Sequence, residues 1–508
     1  MKREFVRAMA ISAPLSFLVL ACGGEGRSTS AARQETVTVL QSSVALGDPH
    51  IVSDSANRLS ILFSVYESLV KLGPDGSYLP SLAESWTLEE DARTWTFNLR
   101  SGVTFHNGDT LEASDVTATL GRILDPSLGG SFGTQGVYIS YLGNADISAL
   151  DEMTVRIITE EPMADLLDLI VAMPISPESA LAELPHTFVG SGPYQVSEQS
   201  DGETVVKAHD VYWGGTPAYQ EIRWLAEPDA GKRVDALLAG EADVVSRIGI
   251  EGKERLTAGG AADAPIVREL ESGLAIIYML NAQDGPCQDP RVRQALNYAL
   301  DIDAIIAEIK GGAASRLSGY LTPHHFGFDP DTPVYPHDPE KARELLAEAG
   351  YDEGLELVFD IPSVMPDEAP ALTRMMVEQY AEVGISVEVI EHQDRPAYAD
   401  MVRAKDIHDA CAFDSSPRST YRVLREKIQS TLEGPWWQGY ENERVNELIV
   451  QAEATVSDME RQALYREIYA MVRDDAPWIF LYNPTNYWGV QSTLNDWSPS
   501  SDGLILFH

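Results

Sequence analysis

The chain has 508 residues, with 78 Asp and Glu against 37 Lys and Arg, for a formal net charge of −41. Its 44% hydrophobic content can fill the cores of about two to four domain-sized units, which excludes a disordered or collagen-like chain. So acidic a surface repels phosphate backbones and anionic headgroups, which argues against a nucleic-acid binder.

Lys2, Arg3 and Arg7 form a basic start, followed by an apolar stretch over 8–21. It is too short for a spanning helix, which needs about 20 residues. It ends in Leu18-Val19-Leu20-Ala21-Cys22-Gly23-Gly24, which resembles a bacterial lipobox. Residues 1–21 are therefore read as a lipoprotein signal peptide, Cys22 as the lipidation site and 22–35 as a flexible tether. Cys287 and Cys411 lie far apart and outside any CxxC pair, so whether they form a disulfide stays open.

The alternation over 36–41 predicts an opening strand. Residues 66–120 carry dense strand and turn signals, including Trp86 and the run 94–99. The stretch 113–124 reads as a helix with Val116, Leu120, Ile123 and Leu124 on one face. Strands are expected at 153–159 and from Gly190 to Val196, with Val205, Val206, Ile222 and Trp224 in further β segments. In the second half, 290–309 reads as one long helical stretch. Asp338 and Pro339 begin another helix as cap and first residue, and Gly350 ends it. A strand at 355–361, a helix at 372–383 and a strand at 385–390 imply a parallel pair with a crossover. Two continuous apolar strands, 274–280 and 478–482, are candidates for paired connections that would let two halves bend over a cleft.

Several blocks carry a family resemblance. The densest is Tyr66-Glu67-Ser68-Leu69-Val70, Leu79-Pro80-Ser81-Leu82-Ala83-Glu84-Ser85-Trp86, Trp95-Thr96-Phe97-Asn98-Leu99-Arg100 and Gly102-Val103-Thr104-Phe105-His106-Asn107-Gly108. Further blocks are Gly190-Ser191-Gly192-Pro193-Tyr194, Asp289-Pro290-Arg291-Val292-Arg293-Gln294-Ala295-Leu296 and Ala342-Arg343-Glu344-Leu345-Leu346. In order and spacing the chain resembles the family-5 solute-binding proteins of ABC importers, the peptide, nickel and opine-type receptors. The resemblance implies an α/β, two-lobed periplasmic-binding-protein-like fold of type II with an extra subdomain and a hinge of two strands. Lobe one would comprise 36–270 plus 478–508, with the extra subdomain at about 70–185, and lobe two 271–477. The implied protein is a periplasmic or cell-surface lipoprotein and a monomer. It meets the membrane only through its lipid anchor, binds no nucleic acid, and delivers a small-molecule solute to ABC permease subunits. Trp86, Trp95, Phe97 and Phe105 are expected in the core, Gly102 and Gly108 in turns, and His106 in a structural role.

No HExxH or Walker-type GxxxxGK[ST] motif is present. His324-His325 is the only adjacent His pair, and no nearby Cys or spaced carboxylate completes a metal site. No catalytic residue, metal or cofactor is assigned. The rival readings are a secreted hydrolase acting on peptides or glycosides through carboxylate pairs, and a receptor-like signalling or chaperone partner.

Ligand contacts are expected where strands end in polar turns. The strand-like run 409–413 leads into Asp414-Ser415-Ser416-Pro417-Arg418-Ser419-Thr420-Tyr421-Arg422. In peptide-binding relatives this region holds an Asp that pairs with the peptide's α-amino group; Ser416 stands in that place and Asp414 lies two residues earlier. Arg418 and Arg422 could grip a carboxylate or phosphate. Two adjacent tryptophans, Trp436 and Trp437, cannot both face one core, so one is expected to stack on the solute. Ser42, Ser43, Tyr482 and Asn486 complete the candidate set. Oligopeptide, opine, oligosaccharide and sugar phosphate all remain open as solutes.

Overall fold

A computed structural model describes residues 34–51, 55–128, 134–258, 263–364, 366–415 and 418–507. The signal peptide and Cys22 lie outside the described residues, and the first strand, Gln34–Gln41, begins inside the stretch expected as tether. Among the described residues no helix is long and apolar enough to cross a membrane.

The architecture is organised by one strand, Trp478–Val490. Its first part pairs antiparallel with Ala275–Leu280, and Ala314–Arg316 pairs with it as far as Pro484. Its second part, from Thr485 on, pairs with Ile266–Glu271 and with Val244–Val245. Two sheets thus meet in a single strand. One runs outward from Ala275–Leu280 through Ala410–Ser415 and Leu355–Pro362 to Ile385–His392. The other runs from Val244–Val245 through Gln34–Gln41, Tyr219–Ala226 and Glu203–Ala208 to Tyr194–Gln199. The chain leaves the second sheet at Glu271 and enters the first at Ala275. The sequence placed the return at residue 478. Pairing puts it between Pro484 and Thr485, because the whole apolar run Trp478–Tyr482 is still bonded to or packed in the first sheet.

The strand Ala275–Leu280 shows why this region holds together. All six residues are buried, as expected of a strand covered on both faces. Ile276, Tyr278 and Leu280 face a core with Leu296, Ile305, Phe359 and Tyr380. Ala275, Ile277 and Met279 face a second core with Leu424, Ile449, Tyr465 and Trp478. The predicted parallel pair is present: Leu355 faces Ile385 and Phe359 faces Val389, with helix Ala369–Glu382 between them in sequence. Helix Pro339–Glu348 starts as expected, with the Asp338 carboxylate accepting the Lys341 amide at 2.9 Å. The long helical stretch at 290–309 is instead two helices, Pro290–Tyr298 and Ile302–Lys310. Asp301 interrupts it by accepting the Ala304 amide at 3.0 Å as a new cap.

The extra subdomain is a four-stranded antiparallel sheet ordered Ala83–Leu88, Thr94–Leu99, Thr154–Ile158, Asp146–Asp151. Helix Ala113–Ile123 closes its core with Val116 and Leu120 against Phe97, Val155 and Ile157. Glu112 and Asp115 cap that helix reciprocally. The Gly190-Ser191-Gly192 block joins the subdomain to the first lobe. A Cβ on Gly190 would lie 2.1 Å from the Val65 carbonyl oxygen. The His106 ring accepts the Gly190 amide at 3.3 Å through Nδ1 and meets the Gly192 carbonyl at 3.0 Å through Nε2. Burial lowers its pKa to about 4, so it works as a neutral structural brace. Cys287 and Cys411 are buried free thiols.

Candidate functional site

A cavity of about 1130 Å³ lies where the two sheets and the subdomain meet. Pro484, Asn486 and Trp488 alternate along the shared strand and form its floor, beside Leu270 and Glu271. The subdomain supplies Trp86, Leu88, Trp95 and Asp168. The second lobe supplies Phe326, Phe328, Arg418, Ser419, Arg422 and Arg461.

The charged groups of the wall are mostly matched within the protein. Arg422 Nε donates to Glu426 Oε1 at 2.9 Å. Arg461, 7% exposed, donates from Nε to Asp165 Oδ1 at 3.1 Å and from Nη2 to Asp458 Oδ1 at 2.7 Å. The Tyr465 hydroxyl donates to Asp165 Oδ2 at 2.6 Å. Asp165 belongs to the subdomain side and Arg461 and Tyr465 to helix Asp458–Asp475, so this buried cluster bridges the lobes. The Ala164 amide reinforces it by donating to the Glu453 carbonyl at 3.0 Å. Next to it, Asp168 accepts the Tyr78 hydroxyl and is hydrogen-bonded to Ser419 of the second lobe. Burial, then the nearby Asp165 carboxylate, raise the Asp168 carboxyl to about 7.

Arg418 stands in the cavity wall as expected. Its guanidinium donates to the Ser501 carbonyl, and burial lowers its pKa. Among the described residues it has no carboxylate partner at ion-pair distance, which leaves its remaining donors for a ligand anion. Asn486 also lines the cavity, and Arg422 does so while bonded to Glu426. Of the expected set, only these reach it. Ser416 lies outside the described residues. Asp414 sits in strand Ala410–Ser415 off the cavity wall, its carbonyl accepting the buried Lys427 ammonium at 3.0 Å. Ser42 and Ser43 are exposed elsewhere. The Ser42 hydroxyl accepts Asn57 Nδ2 at 2.6 Å and the Ser43 carbonyl accepts Gln41 Nε2 at 2.9 Å. Tyr482 is fully buried with its hydroxyl donating to Glu368 at 3.0 Å.

Neither expected tryptophan lines the cavity. Trp436 packs on Phe413 with ring centroids 4.9 Å apart, under the Arg403 guanidinium at 4.6 Å. Trp437 Nε1 donates to the Tyr440 carbonyl at 2.7 Å. The physical reason is Gly434, whose bare Cα presses the loop onto helix Thr420–Lys427. A Cβ there would lie 2.3 Å from the Arg425 carbonyl oxygen. Aromatic surface comes from elsewhere. Trp86, expected in the core, is only half-buried: with Leu88 it lies on the less exposed face of its strand, packs against the subdomain core and forms cavity wall with Trp95. The sequence reading also missed Asp165, Asp168, Arg461 and Arg247, which all line the cavity. Trp86 and Arg247 had a signal: a bulky aromatic in a half-exposed strand and a lone base in an acidic chain. The Asp165–Arg461 pair, 296 positions apart, had none.

The cavity combines a free cation, aromatic faces and acidic groups at Asp75, Glu271 and Asp502 between two lobes joined by a shared strand. That is the geometry of a site that encloses a small polar molecule. A family model described as "Bacterial extracellular solute-binding proteins, family 5 Middle" matches residues 77–418. The chain belongs to that family. It is 27% identical over 497 residues to "Heme-binding protein A" of Haemophilus influenzae, covering 91% of this chain and 89% of that protein. It is 27% identical over 473 residues to "Glutathione-binding protein GsiB" of Escherichia coli O1:K1 / APEC, covering 88% of each. The solved structure of HbpA2 from Haemophilus parasuis has the same fold, with a TM-score of 0.82 at 23% identity over 93% of this chain and 98% of that one. The protein is a two-lobed, extracytoplasmic substrate-binding receptor of an ABC importer and not an enzyme. The hydrolase alternative has no support among these relatives.

Proposed function

We propose that the protein captures a small, carboxylate-bearing, peptide-like solute in the interlobe cavity and hands it to its permease. The observation that carries this reading is the cavity itself. Its volume of about 1130 Å³ lies just above the roughly 300–1,000 Å³ typical of small-molecule pockets. Arg418 offers donors to an anion there, and Asp75, Glu271 and Asp502 offer acceptors to an ammonium. The two relatives named above are named for heme and glutathione, and both molecules carry a pair of carboxylates. Ligand bonds to walls from both lobes would favour the closed arrangement over the open one.

In this reading lobe one is 36–270 plus the strand from Thr485 onward, lobe two the stretch between, and the subdomain about 70–185. The chain works as a monomer, exported and held at the membrane by a lipid on Cys22. Native mass spectrometry of freshly purified protein, followed by thermal-shift titration with glutathione, hemin and trialanine, tests the solute. A retained anionic species, or a rise in melting temperature with one of these probes, is expected. Stabilisation by neutral sugars alone would overturn the reading. For the anchor, Cys22→Ala should move the protein from the membrane fraction to the soluble one, and unchanged partition would refute the tether.

A further inference from the structure

The turn after strand Val244–Val245 holds Arg247 at a backbone φ of +48°, in the left-handed region that L side chains rarely occupy. The conformation is imposed by its surroundings. The side chain of Arg233, 3% exposed, directs its donors to four carbonyls. Nε reaches Ser246 at 3.0 Å, Nη2 reaches Arg247 at 3.1 Å, and Nη1 reaches Glu227 and Pro228 at 2.6 and 2.9 Å. From the other side, the Ser246 amide donates to the Leu40 carbonyl and the Ile248 amide to the Tyr487 carbonyl, both at 3.1 Å. A strained residue fixed this firmly is a common way of aiming a functional side chain.

The Arg247 side chain extends into the interlobe cavity. It stays solvent-exposed at the cavity wall, and among the described residues no carboxylate lies at ion-pair distance from it. Two other cavity arginines are paired with carboxylates, Arg422 with Glu426 and Arg461 with Asp165 and Asp458, while Arg418 gives one bond to the Ser501 carbonyl and keeps further donors. In a chain with 78 acidic residues, an arginine whose backbone is clamped at the cavity wall, with no acidic partner among the described residues, is placed to receive an anion from outside. We propose that Arg247 is the specificity-determining anchor of the cavity, holding a carboxylate or phosphate of the solute as a bidentate ion pair. This deepens the reading above and rests on it for the choice of the peptide probes.

The test uses the full chain and the variants Arg247→Gln and Arg247→Lys. Gln keeps an unbranched side chain with the same backbone preference, so the turn is undisturbed. Isothermal titration compares glutathione with its glycine monoethyl ester, and trialanine with trialanine amide. Wild type is expected to prefer an acid over its blocked form by about 10- to 100-fold, the range of charge-assisted hydrogen bonds. R247Q should lose that preference at an unchanged melting temperature, and R247K should recover part of it. An acid preference preserved in R247Q overturns the proposal. Should wild type bind none of the four peptides, the peptide-like reading fails. The anchor is then read from thermal shifts with citrate, glucose 6-phosphate and inorganic phosphate. A shift in wild type that is absent in R247Q supports it, and equal shifts, or none, overturn it.

Discussion

Asp165→Asn should open the molecule rather than unfold it. The carboxylate receives Arg461 Nε at 3.1 Å and the Tyr465 hydroxyl at 2.6 Å, with side-chain exposures of 5% for Asp165 and 8% for Arg461. Breaking a buried pair usually costs about 3–5 kcal/mol because a charge is stranded. Here Arg461 keeps Asp458 at 2.7 Å and the Thr455 carbonyl at 2.9 Å, so it is not stranded. Asn also keeps the shape and one acceptor. The loss is then nearer to two weakened charge-assisted hydrogen bonds, about 2–3 kcal/mol. Asp165 and helix Asp458–Asp475 lie on opposite sides of the cavity, so this loss falls on the closed arrangement. It corresponds to about a 30- to 150-fold shift toward open forms. Small-angle scattering of the unliganded protein should show a larger radius of gyration for D165N than for wild type. Asp458→Asn, which touches Arg461 within one lobe, should not. Scattering curves that superimpose, together with a lowered melting temperature, would show that the cluster serves folding and not closure.

Other outcomes follow from single positions. The Asp168 carboxyl, raised to about 7, binds a proton in the folded protein at pH values where the unfolded chain, near 3.8, has lost it. Its contribution to stability is therefore full below about pH 4 and is lost as pH rises through 7. The melting temperature of Asp168→Asn relative to wild type should climb between pH 5 and pH 8, and a constant offset in scanning fluorimetry would contradict this. Gly190→Ala should destabilise by about 3 kcal/mol or more in urea titration, since its Cβ meets the Val65 carbonyl oxygen at 2.1 Å. Gly121→Ala, in a helix with nothing within 4 Å of the new atom, should instead stabilise by about 0.5–1 kcal/mol.

What could be read in the sequence follows from where the physics is local. Asp338-Pro339 announces a helix because cap and first turn lie within four residues, and the Lys341 amide sits on the Asp338 carboxylate as expected. The apolar run 274–280 announces a strand covered on both faces, and both its faces meet cores. Arg418 was legible because a base after a strand end is rare in this chain. Trp436 and Trp437 misled for a reason of reach. Sequence shows that two aromatics need two surfaces, but Gly434 and Phe413 decide which surfaces those are. The break at Asp301 was hidden because an Asp inside an apolar periodic run reads equally as exposed helix or as cap. The inter-lobe cluster was invisible, since Asp165 acquires its meaning only from Arg461 and Tyr465 across the cavity.

The inter-lobe bonds also bear on how a solute is retained. Asp165 with Arg461 and Tyr465, Ala164 with Glu453, and Asp168 with Ser419 all join the subdomain side to the second lobe. Such bonds lower the free energy of the closed arrangement, so the solute has to supply only what remains. That places the burden of selectivity on the groups the protein leaves unmatched. In a chain of net charge −41 the exterior repels anions in bulk. Screening over about 8 Å at physiological salt confines that repulsion to the surface. Inside, the donors of Arg418 and the guanidinium of Arg247, carried on a clamped backbone, decide which anion is worth enclosing.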